Sequence, residues 1–152
     1  MSEATLVRRI AARPSIVFEA LTTSEGMTSW WGPADVPVLS AAADVKVGGR
    51  FCVRFRTTDG LEHECAGEFL KIEAPRHIVM SWQWTSGGQA EEKERVSRVE
   101  MRLRPIDTGT ELTLIHAELF DEVSAASHEG GWAGALIKLL RRFPAPASTA
   151  AG

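Results

Sequence analysis

The stretch Val47-Gly48-Gly49-Arg50-Phe51, read together with Gly131-Trp132 near the end of the chain, decides the fold. Gly48-Gly49 predicts a hairpin turn. From Arg50 to Thr57, Phe51, Val53 and Phe55 alternate with Cys52, Arg54 and Arg56, the pattern of a strand with one buried face. Around Gly131-Trp132 the spacing becomes helical: Trp132, Leu136, Leu139 and Phe143 fall on one stripe, with Lys138, Arg141 and Arg142 off it. Short alternating strands followed by one amphipathic helix predict a curved antiparallel sheet gripping a long helix around an apolar interior.

Working outward, the Asp59-Gly60 turn sets the next register. A two-residue loop would place Phe55 opposite Glu64 and Arg54 opposite Cys65. A three-residue loop, Thr58-Asp59-Gly60 with Gly60 left-handed, pairs Arg54 with Glu64 and Arg56 with Glu62 on one face. It sets Phe51, Val53 and Phe55 against Gly67, Cys65 and His63 on the other, so charge meets charge and His63 points toward the core. Beyond Phe69 the apolar parity changes to Leu70 and Ile72, which predicts a bulge. Ile78, Met80, Trp82 and Trp84 alternate in the following strand, and Thr85 to Arg95 reads as a polar loop. Val99, Met101 and Leu103 face inward next. A four-residue loop at Asp107-Thr108-Gly109 then pairs Arg104 with Glu111 and puts Val99 opposite His116.

Before these strands, Thr5 to Ala12 reads as a first strand. Pro14 opens a short helix to Thr22, and Ser24 caps a second one that turns Met27, Trp30 and Trp31 inward. Val36 to Ala42 is a further strand. Residues 1–143 form one expected domain, and 144–152 a disordered Pro/Ala-rich tail.

Composition bounds the function. The chain has 152 residues, 44% of them hydrophobic, and a formal charge of −3. Its acidic balance argues against nucleic acid as a partner. No apolar run reaches membrane-spanning length and no signal stretch opens the sequence, so no membrane insertion and a cytoplasmic location are expected. Cys52 and Cys65 read as reduced thiols, and with His63 they are too few ligands for zinc, so neither metal nor cofactor is expected. There are five Trp, six Phe and no Tyr, a stock of large flat side chains that suits a core or a ligand cavity.

No P-loop, dinucleotide fingerprint, nucleophile elbow or paired-histidine zinc helix is present. In an antiparallel meander, His63, Trp84, Ser97 and His116 fall at one end of the sheet, near the start of the last helix, and the Trp30-Trp31 segment approaches the same end. A few polar groups in an aromatic cleft is the usual form of a small-molecule site. The expected lining is Phe51, Phe55, Met80, Trp82 and Trp84 on the sheet, continued by Met101 and Leu114. Trp30, Trp31 and Trp132 complete it, with His63 and His116 at the opening.

Trp30-Trp31-Gly32-Pro33, Val47-Gly48-Gly49-Arg50-Phe51, Asp59-Gly60, Gly67 with Pro75, Leu112-Thr113-Leu114-Ile115-His116 and Gly131-Trp132 occur in that order. Together they resemble bacterial proteins similar to the C-terminal domain of the activator of the heat-shock protein 90 ATPase. The resemblance runs from about Thr5 to Phe143. It implies the START-like (SRPBCC), Bet v-like superfamily and an α+β helix-grip fold: about seven antiparallel strands, two short helices and one long C-terminal helix.

Three functions follow as expectations. The first is noncatalytic binding of a small hydrophobic molecule, lipid included. The second is an enzyme of the polyketide cyclase/dehydratase kind, with His63 or His116 as general acid or base. The third, which the resemblance implies, is a chaperone co-factor in the stress response that works through its surface. Whether the chain is a monomer or a homodimer is left open.

Overall fold

The computed structural model describes residues 2–88 and 92–144. The chain runs β1 (Ser2–Ile10), α1 (Pro14–Thr22), α2 (Ser24–Trp30), β2 (Val38–Ala43), β3 (Arg50–Arg56), β4 (Glu62–Glu73), β5 (His77–Ser86), β6 (Ser97–Ile106), β7 (Gly109–Leu119) and α3 (Glu122–Arg142). The strands form one curved seven-stranded antiparallel sheet in the order β1-β7-β6-β5-β4-β3-β2. α3 packs across it against β1 and β7, with α2 beside it. This is the expected α+β helix-grip fold. Except for Pro144, the expected tail lies outside the described residues.

The register follows the charge pairing. Arg54 sits opposite Glu64, Arg56 opposite Glu62, Val53 opposite Cys65 and Phe55 opposite His63. Gly60, at φ +86°, supplies the left-handed residue of the turn. Cys65 is fully buried and Cys52 only partly. Gly67 is required for a different reason: a Cβ there would meet the Ser81 carbonyl oxygen at 1.8 Å. β6 and β7 pair as expected, Arg104 with Glu111 and Val99 with His116, but pairing continues to Ile106 and Gly109, so the loop tightens to Asp107-Thr108.

Several local expectations change. The N-cap of α2 is Thr23, whose side chain accepts from Gly26 N at 2.9 Å. Ser24 Oγ accepts instead from Ala43 N, tying α2 to the edge strand β2. Gly48-Gly49 closes a longer connection over 44–49. Its Gly48 N–H donates to Phe69 O, and Gly49 O accepts from Phe69 N. The expected bulge lies between Phe69 and Lys71, with Leu70 turned out to solvent and Ile72 back toward the core. A second bulge falls between Glu64 and Cys65. β5 runs through Ser86, so the following loop starts later than expected.

α3 is capped by Asp121, whose carboxylate accepts from Ser124 N at 2.8 Å. Trp132, Leu136 and Leu139 are buried, as their stripe predicts. Lys138 departs from the pattern. It is half-buried, and its ammonium donates to Trp31 O at 2.6 Å and Val36 O at 2.7 Å. The long stem covers apolar surface while the head satisfies carbonyls of the irregular segment between α2 and β2. Burial lowers its pKa from the usual lysine value.

Candidate functional site

A cleft of about 510 Å³ opens at one end of the sheet. The β3–β4 hairpin forms one side through Phe55, Thr57, Asp59, Leu61 and His63. Trp31, Gly32 and Pro33 form a second side. Trp82 and Trp84 of β5 make a third with Gly88 and Glu92 behind them, and α3 closes the fourth with Ser127, His128, Gly131, Trp132 and Ala135. The hairpin reaches this position because the Gly60 turn and the Arg–Glu register carry Phe55 and His63 onto the inner face. α3 leaves room because Gly131 has no side chain; a Cβ built on it meets nothing within 4 Å.

The aromatic walls are interlocked. Trp31 meets Trp132 edge-on with centroids 5.0 Å apart, and Trp82 meets Trp84 edge-on at 4.6 Å. Phe55 touches both His63 and Trp84. Rings held at such angles present both faces and edges to whatever enters.

Three histidines stand near the cleft with different hydrogen-bond partners. His63 is partly buried; its Nδ1 accepts from Gly88 N at 2.8 Å, and Nε2 lies 3.1 Å from Thr57 Oγ1. The Nδ1 bond makes Nε2 the protonated nitrogen of the neutral ring. Thr57 in turn donates to Asp59, whose carboxylate also accepts from Leu61 N, and these bonds hold its pKa below the usual value.

His116 is wholly buried. Nδ1 accepts from Trp132 Nε1 at 2.9 Å, and Nε2 lies 2.7 Å from Ser97 Oγ. Ser97 Oγ donates onward to Trp82 O at 3.2 Å, so Nε2 carries the proton. Burial, with the neighbouring His128, pushes its pKa well below 6.5 and keeps the ring neutral.

His128 stands on the cleft wall, its ring 4.5 Å from that of His116. Its Nε2 lies 2.8 Å from Glu92 Oε2, which also accepts from Trp84 Nε1 at 2.7 Å. Glu92 is only 5% exposed. Burial raises its pKa, but His128, Trp84 and the nearby Ser124 outweigh that and hold it below the ordinary carboxylate value. Its second oxygen, Oε1, is buried with no hydrogen-bond partner among the described residues. Glu92 is therefore a carboxylate fixed in an aromatic wall.

A family model described as activator of Hsp90 ATPase homolog 1-like protein matches residues 11–143. The chain belongs to this family. The family falls within the START-like (SRPBCC) superfamily. The crystal structure of the AHSA1 protein of Silicibacter pomeroyi resembles this chain with TM-score 0.78 at 24% identity, covering 93% of this chain and 96% of that one. A Chromobacterium violaceum protein gives 0.78 at 18%, covering 97% and 100%. A protein from Arthrobacter aurescens gives 0.75 at 23%, covering 94% and 87%. Identities this low show a shared fold. No curated protein matches the sequence.

In this member of the Hsp90 ATPase activator-like family, the expected lining residues divide. Trp31, Phe55, His63, Trp82, Trp84 and Trp132 do line the cleft. Trp30, Phe51, Met80, Met101 and Leu114 lie beneath it, each at most 1% exposed. The reason is α1 and α2: Leu21, Met27 and Trp30 fill the interior on that side, and Trp30 Nε1 is anchored on Ala20 O at 3.0 Å. His116 is a fully bonded core residue and leaves the opening to His63. Glu92 and His128 were missed. His128 stands four residues before Trp132, so the helical stripe carried back one turn finds it. Glu92 sits in a run of charges with no periodic signal.

Proposed function

We propose that residues 1–143 form a single domain that binds a small, largely hydrophobic molecule in this cleft. The observation that carries the reading is a cleft of about 510 Å³ walled by Trp31, Phe55, Trp84 and Trp132, within the size range of small-molecule pockets. Binding without chemistry fits best. His116 has both ring nitrogens engaged inside the core and no access to the cleft, so it is a poor general acid or base. His63 is likewise bonded at both nitrogens.

Tryptophan emission tests the reading, since most of the indoles border the cleft. A panel of flat hydrophobic compounds should change it saturably. Gly131→Phe projects a ring into the opening without a backbone obstacle, and it should abolish the response while leaving the circular dichroism spectrum unchanged. A response that persists in this variant would place binding elsewhere.

The family description favours a second reading, chaperone co-factor action through the surface. Phe120 and Val123 at the start of α3, and Val96 before β6, are exposed apolar side chains suited to such a contact. Retained chaperone-ATPase stimulation by the Gly131→Phe protein would support it.

A further inference from the structure

The charges around the cleft narrow the class of molecule it accepts. Among its described lining residues the carboxylates are Glu92 and Asp59, the other titratable groups are His63 and His128, and there is no Lys or Arg. The nearest α3 lysine, Lys138, is committed to the Trp31 and Val36 carbonyls. Several donors around the cleft are also taken, and the unpartnered Trp82 Nε1 is buried in its wall. Trp84 Nε1 is bonded to Glu92, Trp132 Nε1 to His116, and Gly88 N to His63. The positive end of the α3 dipole offers little, because Asp121 and Glu122 occupy its first turn. A carboxylate or sulfonate entering the cleft would lose its water and meet no Lys or Arg among the described lining residues, with His128 already engaged by Glu92.

A positive group meets the opposite surroundings. Indole and phenyl rings carry negative charge on their faces and attract cations, most strongly when water is excluded. Glu92 adds a full negative charge fixed in the same wall. Its Oε2 accepts from His128 and Trp84, while its Oε1 has no hydrogen-bond partner among the described residues. Asp59 adds a second carboxylate at the rim.

We propose that the cleft selects organic cations, an ammonium group carried on an aromatic or aliphatic body, over neutral or anionic molecules of the same shape. This rests on the small-molecule reading of the cleft and deepens it. The aromatic rings hold the body and the face of the cation, and Glu92 supplies the preference for charge. A fatty acid, by the same reasoning, is excluded as the occupant.

The test compares phenyltrimethylammonium with tert-butylbenzene, its uncharged isostere, and with benzenesulfonate as the anion. Tryptophan emission is followed at pH 8, above the ordinary imidazole range. Without charge selection the neutral isostere binds more tightly, because it loses less hydration. The proposal expects the cation to bind at least tenfold more tightly than the isostere and the anion to bind most weakly. Glu92→Gln keeps an acceptor for Trp84 and His128, and it should bring cation and isostere to within about threefold of each other. Asp59→Asn at the exposed rim is the second variant, and it should lower the preference partially. Binding of the isostere or the sulfonate at least as tight as the cation overturns the proposal and leaves small-molecule binding standing. A preference undiminished in Glu92→Gln removes Glu92 as its source and overturns the proposal as stated. If none of the three compounds alters the emission, the proposal fails. The small-molecule reading fails with it if the wider hydrophobic panel is silent too.

Discussion

The interior has two halves under the same helix and sheet, one packed and one open. In the packed half, Leu21, Met27, Trp30, Met101, Leu114 and Leu136 are at most 1% exposed. In the open half, the same sheet and the same helix border a cleft. The border is sharp. It passes between Trp30 and Trp31, adjacent in sequence, and between His116 and His128, whose rings are 4.5 Å apart. The difference is supplied by α1 and α2. They insert side chains between α3 and one end of the sheet, and no other described helix enters the other end. Curvature makes the space, and the plug decides how much of it is filled.

The largest effect that tests this contrast is at Leu136. Leu136→Ala leaves a cavity in close-packed surroundings and should cost about 2–5 kcal/mol. Leu61→Ala, on the exposed cleft rim, should change stability by no more than about 0.5 kcal/mol. Urea unfolding measures both, and similar losses at the two positions would erase the distinction between the halves.

Met101→Trp sharpens the contrast from the other side. Met101 is in the packed half, so the larger ring has no space to enter and overpacking should cost about 1–3 kcal/mol. Any ligand response should survive in the fraction that remains folded. A stable Met101→Trp protein with no ligand response would mean that the cleft extends down to β6.

The third effect comes from the border itself. His116 is neutral in the fold and its pKa lies well below 6.5. Between that depressed value and 6.5 the unfolded chain binds a proton that the native protein does not. This contribution is therefore complete above 6.5 and is lost as pH falls below it. The slope approaches about 1.4 kcal/mol per pH unit. Denaturant midpoints measured from pH 7.5 to 5 should show the decline, and His116→Gln should flatten it. An unchanged slope would show that His116 is not the group responsible.

Legibility in the sequence followed the source of each constraint. The β3–β4 register could be read because Arg54, Arg56, Glu62 and Glu64 match in only one alignment, and that alignment carries His63 inward. The Val99–His116 pairing was readable for the same reason. The division of the lining residues was not. Alternation places Met80, Trp82 and Trp84 on one face, but it does not say that Met80 meets packed neighbours and Trp84 an opening. Lys138 shows the complementary case: it lies off the apolar stripe, yet two carbonyls more than a hundred residues away in sequence draw it into a buried position.

By itself the sequence determined the elements, their order and the inner face of β3 to β7, because periodicity, turn residues and charge pairing act between near neighbours, and the order of its short motifs carried the resemblance to the family. Tertiary structure alone decided where the interior stays open, that His116 is sealed while His128 faces the cleft, and that Glu92 reaches His128 and Trp84. Those outcomes depend on volumes and charges brought together from distant segments. No local pattern records whether a space enclosed by a curved sheet and one helix will be filled.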